Sequence, residues 1–396
     1  MISKTIKILR FAVILLLVGC FSGNVDSEYQ YSQPRENGDG LRSGTLSEVG
    51  LDSELIVRGV QRINRDKYGE IHSLLIYKKG KLVLEEYFSG HDYQWDAPNH
   101  YGSMVKWNGD MPHSAHSVSK SITSLCVGIA VDKGFIKDVH QSIFDYLPEN
   151  YKYLCTKNKE YITIENLLTC TSGLQWAEWN APLSSRENDQ IGIWFHEKGP
   201  VDFVLQRPFV EEPGKQFNYS GGGIELLGVI LEQASGMGLD EFSKKYLFEP
   251  LGIKNAEWNI IYPTGEFSAA SGLKMTPRDM VKIGAMMMNG GTWKGNRIVS
   301  EDWVEKSKQP YAYNKNIKVP GEDLGRMGYA YTWWTKDLKI RGMNVNWYSA
   351  NGWGGQKIIV LPEIETVIVF TGANYTSKVK QYDLLDDYIL AAMKDS

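Results

Sequence analysis

Apolar positions in residues 71–88 (IHSLLIYKKGKLVLEEYF) fall in two runs around Lys79, Gly80 and Lys81, the pattern of two strands joined by a tight turn. Residues 354–374 (GGQKIIVLPEIETVIVFTGAN) repeat it, with Pro362 and Glu363 in the turn. In the last stretch, KQYDLLDDYILAAM, the residues Leu384, Leu385, Tyr388, Ile389 and Ala392 recur at helical spacing. These runs predict an antiparallel sheet built from both ends of the chain and covered by helices. The middle reads as helical. Residues 162–174 predict a short helix over 166–170 stopped by Ser172 and Gly173, residues 222–236 a helix ending at Gly236, and residues 239–253 another stopped at Pro250. No repeat with a fixed period runs through the chain.

The first residues break this pattern. Lys4, Lys7 and Arg10 precede an apolar run over 11–18 that is shorter than the roughly 20 residues a membrane-spanning helix needs. That run fits the core of a signal peptide over 1–19. It ends in Leu17, Val18, Gly19 and Cys20, which resembles a bacterial lipobox and implies Cys20 as a lipidated first residue of the mature chain. The alternative is an ordinary signal peptide with an incidental cysteine. Residues 20–45 are polar, rich in Gly and Ser and without periodicity, and predict a flexible tether. A folded unit is expected over 46–396, with an α/β lobe from 46–140 and 266–396 and a helical lobe over 141–265.

Composition narrows the function without naming it. The 396 residues are 42% hydrophobic and 23% charged, near globular averages, which excludes disordered and collagen-like classes. The formal charge of −4 lacks the basic excess of a nucleic-acid binder. Removing 1–19, which holds three basic residues and no acidic one, leaves the chain more acidic still. With Cys20 acylated, three cysteines remain, an odd number that excludes full pairing. Cys126 reads as a core residue. Whether Cys155 and Cys170 pair stays open, since a disulfide needs Cα atoms within ~7 Å.

Three chemistries are missing from the sequence. No Ser sits in G-x-S-x-G, no H-E-x-x-H or other metal-ligand spacing occurs, and no Gly-Lys is followed by Ser or Thr. No metal or cofactor is therefore expected. Ser-x-x-Lys occurs at Ser103, Ser117, Ser271 and Ser377. The first and third lack a helix to fix the pair, and Ser377 reads as the cap of the terminal helix. Ser117 opens a helix whose Ile122, Leu125, Cys126 and Ile129 form an apolar stripe up to Gly134. Residues three apart on a helix have Cβ atoms about 5–6 Å apart, so Lys120 reaches the Ser117 hydroxyl. Free N–H groups at the helix start favour negative charge there. In a dry cleft the Lys120 amine is expected to have a depressed pKa and to act as a base. The competing reading is an N-cap Ser with a solvated Lys. Tyr219 precedes a Gly-rich helix start and suits a proton shuttle. The glycines of NGWGGQ (351–356) would let a substrate approach a strand backbone.

With these motifs in this order, the chain from about residue 50 to 395 resembles the serine hydrolases related to class C β-lactamases and penicillin-binding proteins. That family includes family VIII carboxylesterases and 6-aminohexanoate-oligomer amidases. The resemblance is carried by Ser117-Val-Ser-Lys120, the segment ITIENLLTCTSGL over 162–174, Pro213-Gly214 with Tyr219-Ser220, Ser271-Gly-Leu, Thr276-Pro-Arg-Asp279 and Gly352-Trp-Gly-Gly-Gln356. It implies an α+β, β-lactamase-like fold. It also implies Ser117 as nucleophile of an acyl-enzyme, Lys120 and Tyr219 as base and acid, and an oxyanion hole from the N–H groups of Ser117 and Gln356.

Two positions depart from the lactamase pattern. Gly221 replaces the Asn of Tyr-x-Asn, and Trp353-Gly354-Gly355 replaces Lys-Thr-Gly, removing an amide and a cation that would meet a penicillin. Both changes are similar to the esterase and amidase branches. Cys170, where relatives commonly have His, reads as structural. Trp353, Gly354, Gly355, Gly221, Trp176 and Trp179 are the candidate substrate-binding residues, with Trp194 and Phe195 as further rings in the stretch 175–200. The expected protein is a lipid-anchored hydrolase of the cell envelope, on the periplasmic or extracellular face of a membrane, acting on a small ester, amide or peptide-like substrate. A penicillin-binding DD-peptidase or weak β-lactamase, and a non-catalytic sensor on the same scaffold, are the alternatives. The oligomeric state is not legible.

Overall fold

A computed structural model of the chain describes residues 29–156 and 158–393. Cys20 and the expected signal peptide lie outside the described residues. The two hairpins meet in one eight-stranded sheet. Its order is Ile317–Lys318, Arg326–Tyr329, Trp334–Ile340, Met343–Gly352, Gln356–Leu361, Thr366–Gly372, Ile71–Lys78 and Lys81–Tyr87. All neighbours in it are antiparallel. The last strand joins the first with Leu75 opposite Val369, so the chain ends close the sheet as the patterning predicted.

Alternation along a strand sends successive side chains to opposite faces. Leu75, Ile358, Val360, Val367 and Val369 belong to one core, shared with the helices Val118–Asp132 and Pro277–Met288. Leu74, Ile76, Ile359, Ile368 and Phe370 belong to a second core, shared with Ser53–Ile63 and the terminal helical segment. Burial on both faces explains why these strands read as continuous apolar runs. Gly284 of Pro277–Met288 lies so close to the sheet that a Cβ there would meet Val367 Cγ1 at 2.4 Å.

Residues 141–265 are mainly helical, with Ile164–Leu168, Asp189–Gly192, Gly199–Leu205, Gly221–Ser235 and Leu239–Ser243 as principal pieces. Thr163 and Asn166 form a capping box at the start of the first. The helix expected over 239–253 widens after Ser243, where the Glu249 N–H donates to Lys244 O at 2.9 Å. No helix among the described residues is long and apolar enough to cross a membrane.

Two expectations fare differently. From residue 29 on, the stretch read as a tether lies against the body: Leu41 is buried, and Asp39 takes both Nε and Nη2 of Arg278, at 2.8 and 3.1 Å. Polar composition hid this, because the attachment combines the Arg278–Asp39 pair with a few scattered apolar contacts from Tyr29, Tyr31 and Leu41. Ser377 does not cap the terminal helix, which begins at Gln381 after Lys380. Cys126, Cys155 and Cys170 are free thiols.

Candidate active site

The chain reaches Ser117 through His116, which holds a left-handed backbone at φ +47°. That conformation is uncommon outside glycine and marks a turn fixed by its surroundings. Ser117 stands at the N-terminal boundary of Val118–Asp132 but makes no side-chain cap. Its Oγ instead accepts from Lys120 Nζ at 2.9 Å, which decides against the N-cap reading. The helix is buried on all sides from Val118 to Ala130, not along one stripe. Its hydroxyls anchor it: Ser121 donates to Thr332 O at 2.8 Å, Thr123 to Ala269 O at 2.8 Å and Ser124 to Tyr331 O at 3.1 Å.

Lys120 is 1% exposed, and its ammonium also donates to Ala270 O and to Glu178 Oε1, each at 3.3 Å. Burial is the largest single influence and works against the charged amine, but Glu178 together with Tyr219, Cys170 and Glu225 outweighs it, and the pKa ends above that of an ordinary lysine. The depressed pKa expected from the sequence is therefore corrected: Lys120 rests as an ammonium in an ion pair. The partner's other oxygen, Glu178 Oε2, accepts from Trp176 Nε1 at 2.9 Å and from the Gly221 N–H at 2.6 Å. A second buried carboxylate, Glu225, accepts from the N–H groups of Ala269 and Ala270 at 2.7 and 3.2 Å and so holds the carbonyl that Lys120 uses.

Tyr219 sits two residues before Gly221, its ring stacked on Trp179 with centroids 4.8 Å apart and 5.0 Å from Lys120 Nζ. Burial pushes its phenol up to about 12, while the Lys120 ammonium and a hydrogen bond with Ser117 pull downward. Cys170 is buried beside Ser220 O and the Tyr329 hydroxyl, and burial pushes its thiol up to about 11, in keeping with a structural role.

These groups open into a cleft of about 510 Å³ lined by Ser117, Lys120, Glu178 and Tyr219. Its walls are largely aromatic: Trp179 stacks with Trp334, a second cluster is formed by Tyr93, Trp353 and Tyr375, and Trp194 is a further ring. Of the expected substrate contacts, Trp179, Trp353 and Gly354 line the cleft. Trp176 lies beneath it, packed against Gly222. Gly221 is beside it, and Gly355 is turned to Gln381, whose Nε2 donates to its carbonyl at 2.8 Å. Phe195 packs against Trp95.

The strand glycines answer to the chain itself. A Cβ on Gly352 would come 2.3 Å from Ala115 O, and Gly354 and Gly355 hold φ of +81° and +98°. The Ser117 N–H donates to no backbone carbonyl among the described residues. Gln356 begins the next strand with its side chain bonded to Gly372, outside the cleft lining, whereas Asn351 and Gly352 are in it. Glu178, Gln190, His116, Tyr93 and Tyr375 were not anticipated. The only hint was the position of Glu178 between Trp176 and Trp179 in a stretch singled out for its rings.

A serine, a lysine and a tyrosine gathered at the start of a buried helix, beside an antiparallel sheet covered on both faces, define a β-lactamase-like hydrolase fold. The chain belongs to the Beta-lactamase family, which its residues 72–392 match. It is 28% identical over 202 residues to 6-aminohexanoate-dimer hydrolase of Paenarthrobacter ureafaciens, covering 50% of each chain. It is 30% identical over 138 residues to lovastatin esterase of Penicillium rubens, covering 33% of this chain and 32% of that one. The chain thus spans half or less of the length of these curated relatives. Among solved structures, the octameric penicillin-binding protein homologue from Pyrococcus abyssi superposes with a TM-score of 0.60 at 22% identity over 86% of this chain and 77% of that one. A family VIII carboxylesterase gives 0.63 at 14% over 87% and 98%. Family and relatives are hydrolases with esterase and amidase members.

Proposed function

We propose that the protein cleaves a small ester or amide through an acyl-enzyme on Ser117. The observation that carries this reading is the 2.9 Å contact from buried Lys120 Nζ to a Ser117 Oγ that caps nothing, at the floor of an aromatic cleft. Ser117 Oγ attacks the substrate carbonyl while its proton passes into the Lys120 and Tyr219 pair. Lys120 starts as an ammonium, so it first gives a proton to Glu178. Amine plus acid replaces ammonium plus carboxylate, and the net charge is unchanged. Oxyanion charge falls on the Ser117 N–H and on an N–H of the strand region 351–356, donors worth roughly 10²–10³ each in rate. Tyr219 returns the proton to the leaving alcohol or amine as its bond to the carbonyl carbon breaks. Water then attacks the acyl-Ser117 ester by the same route in reverse.

We further infer that Cys20 carries lipid and holds the mature chain at a membrane, a reading supported by the residues before it. Ser117→Ala tests the catalytic reading: hydrolysis of short p-nitrophenyl esters is expected to fall to background, and activity equal to wild type would remove Ser117 from the mechanism.

A further inference from the structure

One hairpin stands apart from the main sheet. Its strands Ser89–Tyr93 and Tyr101–Lys106 form a two-stranded sheet of their own. The loop 94–100 between them is tied internally. The Gln94 N–H donates to His100 O at 3.0 Å, the His100 N–H donates to Ala97 O at 2.9 Å, and His100 Nδ1 lies 2.8 Å from Trp95 O. Asn99 and His100 both hold left-handed backbones, at φ +57° and +61°. Two such residues in succession, neither of them glycine, mark a loop whose shape its contacts fix. A two-stranded hairpin is marginal by itself, so its ring contacts decide where it sits.

Those contacts reach both lobes. On the sheet side, Tyr93 packs edge-on to His116, Trp353 and Tyr375, with centroids 4.6, 6.0 and 5.3 Å away, and the His100 ring lies 4.9 Å from Trp353. Glu70 adds a polar tie to His91 Nδ1 at 3.0 Å. Two residues after Tyr93, Trp95 reaches the helical lobe, where its indole meets Trp194 at 6.3 Å and Phe195 at 5.9 Å. Tyr93 and Trp194 both line the cleft, so residues 93–95 join the lobes beside it. Gln94 and Asp96, on either side of Trp95, are exposed, which places this bridge at the surface and not at the floor with Ser117 and Lys120.

The two ends of the bridge are held unequally. Several rings and Glu70 hold the sheet end. At the other end, Trp95 Nε1 and Trp194 Nε1 are buried and have no hydrogen-bond partner among the described residues. Each N–H loses water when the rings meet and regains it when they part. Ring burial favours this contact and two unsatisfied donors oppose it, so it is the end that opens.

Resting on the reading of Ser117 as nucleophile, we propose that Trp95 is a gate at the rim of the cleft, closed on Trp194 and Phe195, that selects substrates by size. With the gate closed, a small acyl or alcohol group fits the cleft of about 510 Å³. A longer group needs the Trp95 indole to leave the helical lobe while Tyr93 and His100 keep the hairpin on the sheet. The kcat/KM of such a substrate is scaled by the fraction of molecules that are open. Trp95 does not line the cleft itself and acts through Trp194.

The test compares p-nitrophenyl acetate with p-nitrophenyl octanoate, and phenyl acetate with the acetate ester of a phenylphenol. Trp95→Ala is expected to raise kcat/KM for the long member of at least one pair about tenfold, the bias one aromatic contact supplies, and to leave the short members within about twofold. Trp95→Phe keeps a ring without the unsatisfied N–H and should keep the wild-type ratio or lower it. Phe195→Ala should raise the ratio as well, and combining it with Trp95→Ala should add nothing, since both remove one contact. If Trp95→Ala does not accumulate as folded protein, Phe195→Ala is read in the same way. A long-to-short ratio identical in wild type and these variants overturns the gate. An equal change in long and short members, the result of a merely structural role, overturns it too. Fluorophosphonate labelling run in parallel separates the two claims. Labelling that persists in Ser117→Ala defeats the hydrolase reading, and an unchanged ratio with Ser117-dependent labelling defeats the gate alone.

Discussion

Glu178 changes what Lys120 can do. Both side chains are nearly dry, with 2% and 7% exposure, so their attraction is poorly screened. Replacing Glu178 with Gln keeps the shape and removes the charge. Burial then acts on Lys120 against only Tyr219, Cys170 and Glu225, and its pKa is drawn downward from the raised value it holds beside Glu178. Wild type should show no Lys120 limb in kcat/KM through the neutral range. Glu178→Gln should show one, with a rate reduced about a hundredfold at its plateau. Superimposable pH profiles would contradict the coupling. Stability follows the same sign. A lysine whose folded pKa is raised contributes fully below the unfolded value of 10.5, and the contribution is lost as pH rises through the folded pKa. Alkaline unfolding of wild type above pH 10.5 should therefore be steeper than that of Glu178→Gln. Spacing and order singled out Ser117, Lys120 and Tyr219 in the sequence, and the fold brings the three together. Glu178 stands 58 residues from Lys120 in a stretch without periodicity, and only the fold brings it there. That distance is why the amine's pKa was misjudged from sequence. Gln190 was equally hidden, since one amide on a four-residue helix has no signature.

At the level of elements, the helix Val118–Asp132 is held by contacts on every side. Gly128 faces Trp303, and a Cβ there would meet the indole at 2.5 Å. Gly128→Ala should shift the helix or the ring and lower stability by about 1–3 kcal/mol, read as a drop in thermal midpoint. An unchanged midpoint would show that the interface has slack. The strands and most helices were legible because two buried faces leave long apolar runs and helix spacing leaves stripes. Helix ends were less so. The helix at 239–253 widens after Ser243, and the terminal helix starts at Gln381 without a capping side chain, an outcome that Ser377 in the sequence did not suggest.

Across the molecule, Arg278 ties the N-terminal stretch to the body. It donates to both oxygens of Asp39 and, through Nη1, to Glu85 Oε2 at 2.6 Å. Arg278→Ala leaves Glu85 without its cation and Asp39 with Lys282 alone, 3.9 Å away, and a loss of about 3–5 kcal/mol is expected, with faster proteolysis before residue 45. Equal proteolysis rates would mean that the stretch is held by its apolar contacts alone. Beyond this attachment, the N-terminal readings make their own prediction: Cys20→Ala should move the protein from the membrane fraction to the soluble one, and retention at the membrane would contradict the lipid anchor. The catalytic claim is tested most directly by intact mass after exposure to a fluorophosphonate. Wild type should gain a single adduct, mapped to Ser117, as ester hydrolysis ceases. An adduct elsewhere, or a Ser117→Ala protein that is labelled and hydrolyses esters as wild type does, would contradict the account.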